Sequence, residues 1–147
     1  MNAAGILVGG VIPALFLGLG TVLMRSSIAA GASIPTYLAV IGTTIALVGW
    51  GSLAITGQTG GLQISRAVGW AVAMGLTWSA AIACISYGFG VLKLPVAVVA
   101  PLTNANSLVA VTIGVLAFGE WRSLHLPMTA SGTLLICVGA TLVSLSI

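Results

Sequence analysis

Charge is the scarcest commodity in this chain. Of 147 residues only five carry formal charge, Arg25, Arg66, Lys93, Glu120 and Arg122, and there is one histidine, His125. Charged residues make up 3% of the sequence against 59% hydrophobic ones, and no water-soluble fold of this length could hide that much apolar surface. The net charge of +3 is spread along the chain rather than gathered on one face, which excludes a nucleic-acid surface. Cysteine is equally sparse. Cys84 and Cys137 each sit inside an apolar run with no second Cys, His or carboxylate at ligand spacing, so they read as small buried apolar residues, not as a metal or redox site. With a single acid and a single distant histidine, the constellation a membrane hydrolase needs is missing, and neither an enzyme nor a cofactor is expected.

What is present is apolar length. A bilayer core of about 30 Å takes about 20 apolar residues per helix. Five segments meet that, at about Gly5 to Met24, Pro35 to Ile55, Ala67 to Leu92, Val96 to Phe118 and Pro127 to Ile147. The gaps between them are short and none shows the alternating polarity of a membrane barrel strand, so the expectation is an all-α, five-helix transmembrane bundle forming one domain, 1–147, multi-pass in the cell (inner) membrane. No basic region precedes the first apolar segment, which is therefore expected to stay as part of the fold rather than to be a signal peptide. The run TGQTGG after the second helix reads as a flexible polar loop.

The stretch from Leu94 to Glu120 concentrates the polar side chains. At about 100° per residue, Thr103, Asn106, Ser107, Ala110 and Gly114 share one arc of about 100°, with Asn104 at its flank. These side chains form either a seam between helices, glued by amide hydrogen bonds, or the lining of a polar cavity. Two amides so close together exceed what a seam needs, which favours the cavity. Pro101 frees the carbonyl of Ala97 beside them, and Pro13 frees that of Gly9 in the first helix; both are candidate hinges. In the third helix Trp78, next to Thr77 and Ser79, is either lipid-facing bulk or a pocket wall. Glu120 at the end of the fourth helix is either an interfacial residue, solvated or paired with Arg122, or the one group through which a proton could couple.

With five crossings the termini lie on opposite sides. The loops on the N-terminal side hold Arg66 and Arg122, those on the other side Arg25 and Lys93, two against two. Orientation follows the Lys/Arg bias of short loops, so a balanced chain is expected to insert both ways and to assemble as an antiparallel homodimer with its two-fold axis in the membrane plane.

The segment from Gly75 through the Pro-led fourth helix to Gly119-Glu120, then Ser131-Gly132-Thr133-Leu134-Leu135-Ile136 to Gly139, resembles the EamA repeat of the drug/metabolite transporter superfamily. The resemblance covers nearly the whole chain, which looks like one of the two five-helix units that larger members carry as inverted repeats. It implies a transporter of small metabolites or drug-like solutes, with a central cavity lined by the first, third and fourth helices and hence by Trp78, Ser79, Tyr87, Thr103, Asn104, Asn106 and Ser107. The small multidrug-resistance exporters of the same superfamily carry a Glu in the middle of their first helix. This first helix has no acid, so neutral or zwitterionic solutes are expected in place of cationic drugs. A different class of reading is a structural or assembly subunit or one half of a heterodimeric transporter.

Overall fold

The computed structural model describes residues 3–58, 65–122 and 124–145. All regular structure among them is helical. Helix α1 (Ala3–Ile6) passes through one π-helical stretch, Leu7–Val11, into α2 (Ile12–Ala29). The others are α3 (Ile34–Thr56), α4 (Arg66–Gly90), α5 (Val96–Asn104), α6 (Asn106–Ala117) and α7 (Leu126–Ser144), with a 3-10 turn at Glu120–Arg122. Together they make five spans long and apolar enough to cross a membrane: Ala4–Ala29, Ile34–Thr56, Arg66–Gly90, Val96–Ala117 and Leu126–Ser144. The protein is a multi-pass helical membrane protein.

Local chemistry explains where the spans start and stop. Ser33 caps α3 by accepting the Thr36 N–H at 3.3 Å, and Pro35 occupies the first turn, where its missing donor costs nothing. Ser65 caps α4 in the same way through the Val68 N–H, also at 3.3 Å. At the other end of α3, Gly57 takes the left-handed conformation (φ 66°) and returns its N–H to the Leu53 carbonyl at 2.9 Å. Gly119 (φ 68°) turns the chain left-handed just after α6, so the glycine of the Gly119-Glu120 pair has a backbone reason to be there. Lys93 (φ 57°) turns the chain between α4 and Pro95, which leads into α5.

The helix ends differ from the sequence expectation in instructive places. The first span runs past Met24 to Ala29, which puts Arg25 inside the helix rather than in a loop. A long guanidinium stem near a helix end can reach the interface without breaking the helix. The third span stops at Gly90 instead of Leu92, the fourth at Ala117 and the fifth at Ser144, while Ile147 lies outside the described residues. Most of the TGQTGG loop, from Thr59 onward, also lies outside them.

The chain divides into two compact units, residues 1–21 with 94–147, and residues 22–93. In the first unit α7 packs against both α5 and α6. Its buried residues are Val98, Val99, Gly114, Thr133 and Ala140. In the second unit α3 packs on α4, and Met24, Ile82, Ser86, Gly88 and Phe89 are buried. There a Cβ built on Gly90 would come within 3.2 Å of the Ile28 Cγ2, so the ends of α2 and α4 approach closely enough to need the glycine. Gly90→Leu is expected to overpack this contact and destabilise the protein by about 1–3 kcal/mol, read as a lowered midpoint in thermal unfolding in detergent.

Hydroxyl groups along the spans are satisfied by their own helices. Thr21, Ser26, Thr43, Thr44, Ser52, Thr77, Ser79, Thr112, Ser131, Thr133, Thr141 and Ser144 each donate to the carbonyl four residues earlier, at 2.7–3.0 Å. Among the described residues two buried hydroxyls have no partner, the Oγ atoms of Ser86 and Ser107. Most apolar side chains, by contrast, stay uncovered. No residue in the most apolar window of either of the first two spans is buried. These are surfaces suited to lipid or to another helix.

Candidate functional site

The fourth span is the most irregular part of the first unit besides the π stretch. Pro101 lies inside α5, where it cannot donate to the Ala97 carbonyl. Four residues later the helix is interrupted at Ala105. There the bonding tightens to three-residue steps, from the Ala105 N–H to the Leu102 carbonyl at 3.1 Å and from the Leu108 N–H to the Ala105 carbonyl at 3.0 Å. The interruption falls between Asn104 and Asn106, the last residue of α5 and the first of α6. Irregular backbone at bilayer depth is tolerated where it is covered by protein or lines a cavity.

The expected polar arc is split by the structure into three kinds of residue. Thr103 is part-buried, and its hydroxyl donates to the Ala100 carbonyl at 2.9 Å. Ser107 keeps its hydroxyl buried without a partner, and Gly114 is buried. Asn104 and Asn106, however, are exposed, and neither carboxamide makes a hydrogen bond among the described residues. Thr103 and Ser107 thus lie toward a packed seam, where the Ser107 hydroxyl is left unsatisfied, and the exposed unsatisfied polarity is in the two amides.

In the second unit, Trp78 and Ser79 come together in the wall of a groove of about 420 Å³ between α3 and α4. Its other wall is apolar, with Leu38, Ile41, Gly42 and Ile45 from α3, and the Ser79 hydroxyl is turned onto the Gly75 carbonyl at 2.8 Å. Such a groove offers shape and apolar contact but little hydrogen bonding. Tyr87 lies further along α4, half exposed, and is not part of this wall. A second groove, of about 520 Å³ between α6 and α7, was not foreseen from the sequence. It carries Thr112, Thr129, Ser131 and Thr133, and the spacing of Thr129 and Thr133 on one face of α7 was the available signal. Three of these hydroxyls are spent on their own helix.

Glu120 belongs to the 3-10 turn that follows α6, but its side chain lies outside the described residues. Its neighbour Arg122 stacks over the Trp121 ring at 5.2 Å, an arrangement suited to the bilayer interface. Of the candidate hinges, Pro13 lies two residues beyond the end of the π-helical stretch. The Ile12 N–H there reaches back five residues to the Leu7 carbonyl, a local widening of the helix where a bend is expected. No three His, Cys, Asp or Glu side chains come together among the described residues. Cys84 is exposed and Cys137 half-buried, so the reading of both as buried residues fails for Cys84; an apolar position in a span can face lipid as well as protein.

The fold and the site define a five-span membrane protein with unsatisfied amides at the middle of one span. No family model matches the chain, and no curated protein or solved structure matches it.

Proposed function

We propose that this protein is a secondary transporter or facilitator of small neutral or zwitterionic solutes, metabolites or drug-like compounds, in the cell's inner membrane. On this reading it is a single EamA-like repeat of the drug/metabolite transporter superfamily and works as a dual-topology, antiparallel homodimer. The observation that carries the proposal is the break at Ala105, which leaves two exposed, unpartnered carboxamides in the middle of a membrane span. An amide left unpaired in hydrocarbon costs about 4 kcal/mol or more on alkane scales, so each must meet water, solute or a second chain. Amides and hydroxyls with no neighbouring acid suit solutes that bring donors and acceptors but no net charge. Any coupling to protons falls to Glu120, the only acid in the chain.

Flux of a solute panel into proteoliposomes tests this. Asn104→Leu is expected to lower the flux of an accepted solute about ten- to hundredfold, as a lost hydrogen bond of about 1.4–2.8 kcal/mol would, with the dimer intact. The uncovered first two spans favour a second reading, an assembly subunit whose amides only hold helices together. That reading predicts the opposite pattern, a dimer lost and no flux at the outset.

A further inference from the structure

We infer that the groove between α6 and α7 is a binding site for one phospholipid with a zwitterionic headgroup, an acyl chain lying in the groove and the phosphodiester held at its mouth by Arg122. The inference is independent of the transport reading and of the dimer.

The chemistry of the walls points to hydrocarbon. The hydroxyls of Thr112, Ser131 and Thr133 are turned onto their own helices at 2.7–2.9 Å, so the groove offers methyl and methylene groups in place of hydrogen bonds. Its rims stand out and its floor does not: Leu116 and Leu134 are 78% and 63% exposed, Thr133 only 7%. A solute that brings donors and acceptors gains little there. A hydrocarbon chain fills the cleft and supplies the dispersion contacts that an open one lacks.

Length and depth decide between a lipid and a second helix. The walls run from Leu108 to Leu116 on α6 and from Leu126 to Leu134 on α7, about 12 Å at about 1.5 Å per residue. Leu108 and Leu134 lie near the middle of their spans, Val96–Ala117 and Leu126–Ser144, whereas Leu116 and Leu126 lie at the ends. The groove therefore occupies one leaflet, half of a hydrocarbon core of about 30 Å. A docked transmembrane helix needs a groove along the whole span, and a lipid chain needs only its own leaflet. In the other half of the fourth span α7 packs on α5, where Val98 and Val99 are buried, and the break at Ala105 lets α6 take a different course.

The mouth of the groove is the loop that joins its two helices. There the Arg122 guanidinium stands over the Trp121 ring at 5.2 Å, both side chains exposed, the pairing of cation and aromatic found at headgroup level. Arg122 is four residues from Leu126, and a guanidinium presents its donors to two phosphate oxygens at once. The same turn, Glu120–Arg122, contains the only acidic residue of the chain, so its formal charge is balanced. Charge complementarity then favours a headgroup with an ammonium beside its phosphate over an anionic one.

Native mass spectrometry of the full chain, in micelles doped with phosphatidylethanolamine, phosphatidylglycerol or diacylglycerol, tests the site. One phosphatidylethanolamine per chain is expected to be retained about tenfold more tightly than diacylglycerol, through the Arg122 contact. Its advantage over phosphatidylglycerol is expected to be about fivefold, the worth of one charge pair near water. Arg122→Gln should level phosphatidylethanolamine with diacylglycerol, and Glu120→Gln should abolish the preference over phosphatidylglycerol. Ala130→Phe, which fills the groove from an exposed position, is expected to weaken retention of all three lipids about tenfold. Leu135→Phe, on α7 outside the groove, is expected to weaken none. Equal retention of the three lipids by the unaltered chain would show a hydrocarbon annulus without a site and would overturn the proposal. So would an Ala130→Phe chain that holds all three unchanged. Self-cross-linking of Ala130→Cys in membranes, with Cys84→Ala and Cys137→Ala removing the native thiols, would place a second copy in the groove and would overturn it as well.

Discussion

Reporters fused to either terminus, each active on one side of the membrane only, are expected to give comparable signals, and two added lysines are expected to abolish that equality. Gln58→Lys with Leu124→Lys raises the N-terminal-side count of basic residues from two to four against two, and should hold that side in the cytoplasm. Ala32→Lys with Leu92→Lys does the reverse. All four positions lie outside the spans, at exposed or half-exposed sites between helices, so the folded helices are not disturbed. An antiparallel pair needs both orientations. Each variant alone is therefore expected to lose nearly all flux, and co-expression of the two to restore it. Full activity from one biased variant alone would show that the working unit is a single chain or a parallel pair, and the proposed assembly would have to be abandoned.

The largest effect on stability is expected from Phe89→Ala. Phe89 is the largest fully buried side chain described, in the unit where Met24, Ile82 and Ser86 are also buried. Removing a buried Phe costs about 3–5 kcal/mol in water-soluble proteins, where part of the loss is transfer of apolar surface from water. Lipid tails are as apolar as a protein core, so that part vanishes and the loss of packing remains. The expected cost is therefore lower, about 2–3 kcal/mol, measured by denaturant unfolding in micelles. Leu76→Ala, on the same helix, is the control: at 70% exposure it is expected to cost close to nothing. An equal loss from both would mean that the buried cluster around Phe89 does not hold its unit together.

The spans themselves were legible in the sequence because their signal is a sum over about twenty residues, which no single side chain can upset. Pro35, Pro127 and Gly57 also marked ends locally, two by fitting a first helical turn and one by accepting a left-handed backbone. Arg25, placed in a loop by the sequence, instead lies within α2, whose backbone continues to Ala29. The break at Ala105 carried no punctuation, since Asn104-Ala105-Asn106 contains neither glycine nor proline and Pro101 lies a turn earlier. A helical arc assumes one unbroken helix, and once α5 and α6 are separate helices the two asparagines need not serve one surface. The unpartnered hydroxyls of Ser86 and Ser107 were invisible for a plainer reason. Sequence gives no warning when a serine departs from the habit of bonding to its own helix, as its neighbours along the spans do.

That habit has a consequence for biogenesis. A hydroxyl that bonds within its own helix is already quenched when the helix leaves the insertion machinery, before any neighbour has arrived. Thr43, Thr44 and Ser52 therefore add little to the cost of burying α3 in lipid, and they add equally little to the reward for joining it to α4. Insertion and association are separated into two stages, and only side chains that their own helix does not quench are left to make the second stage selective.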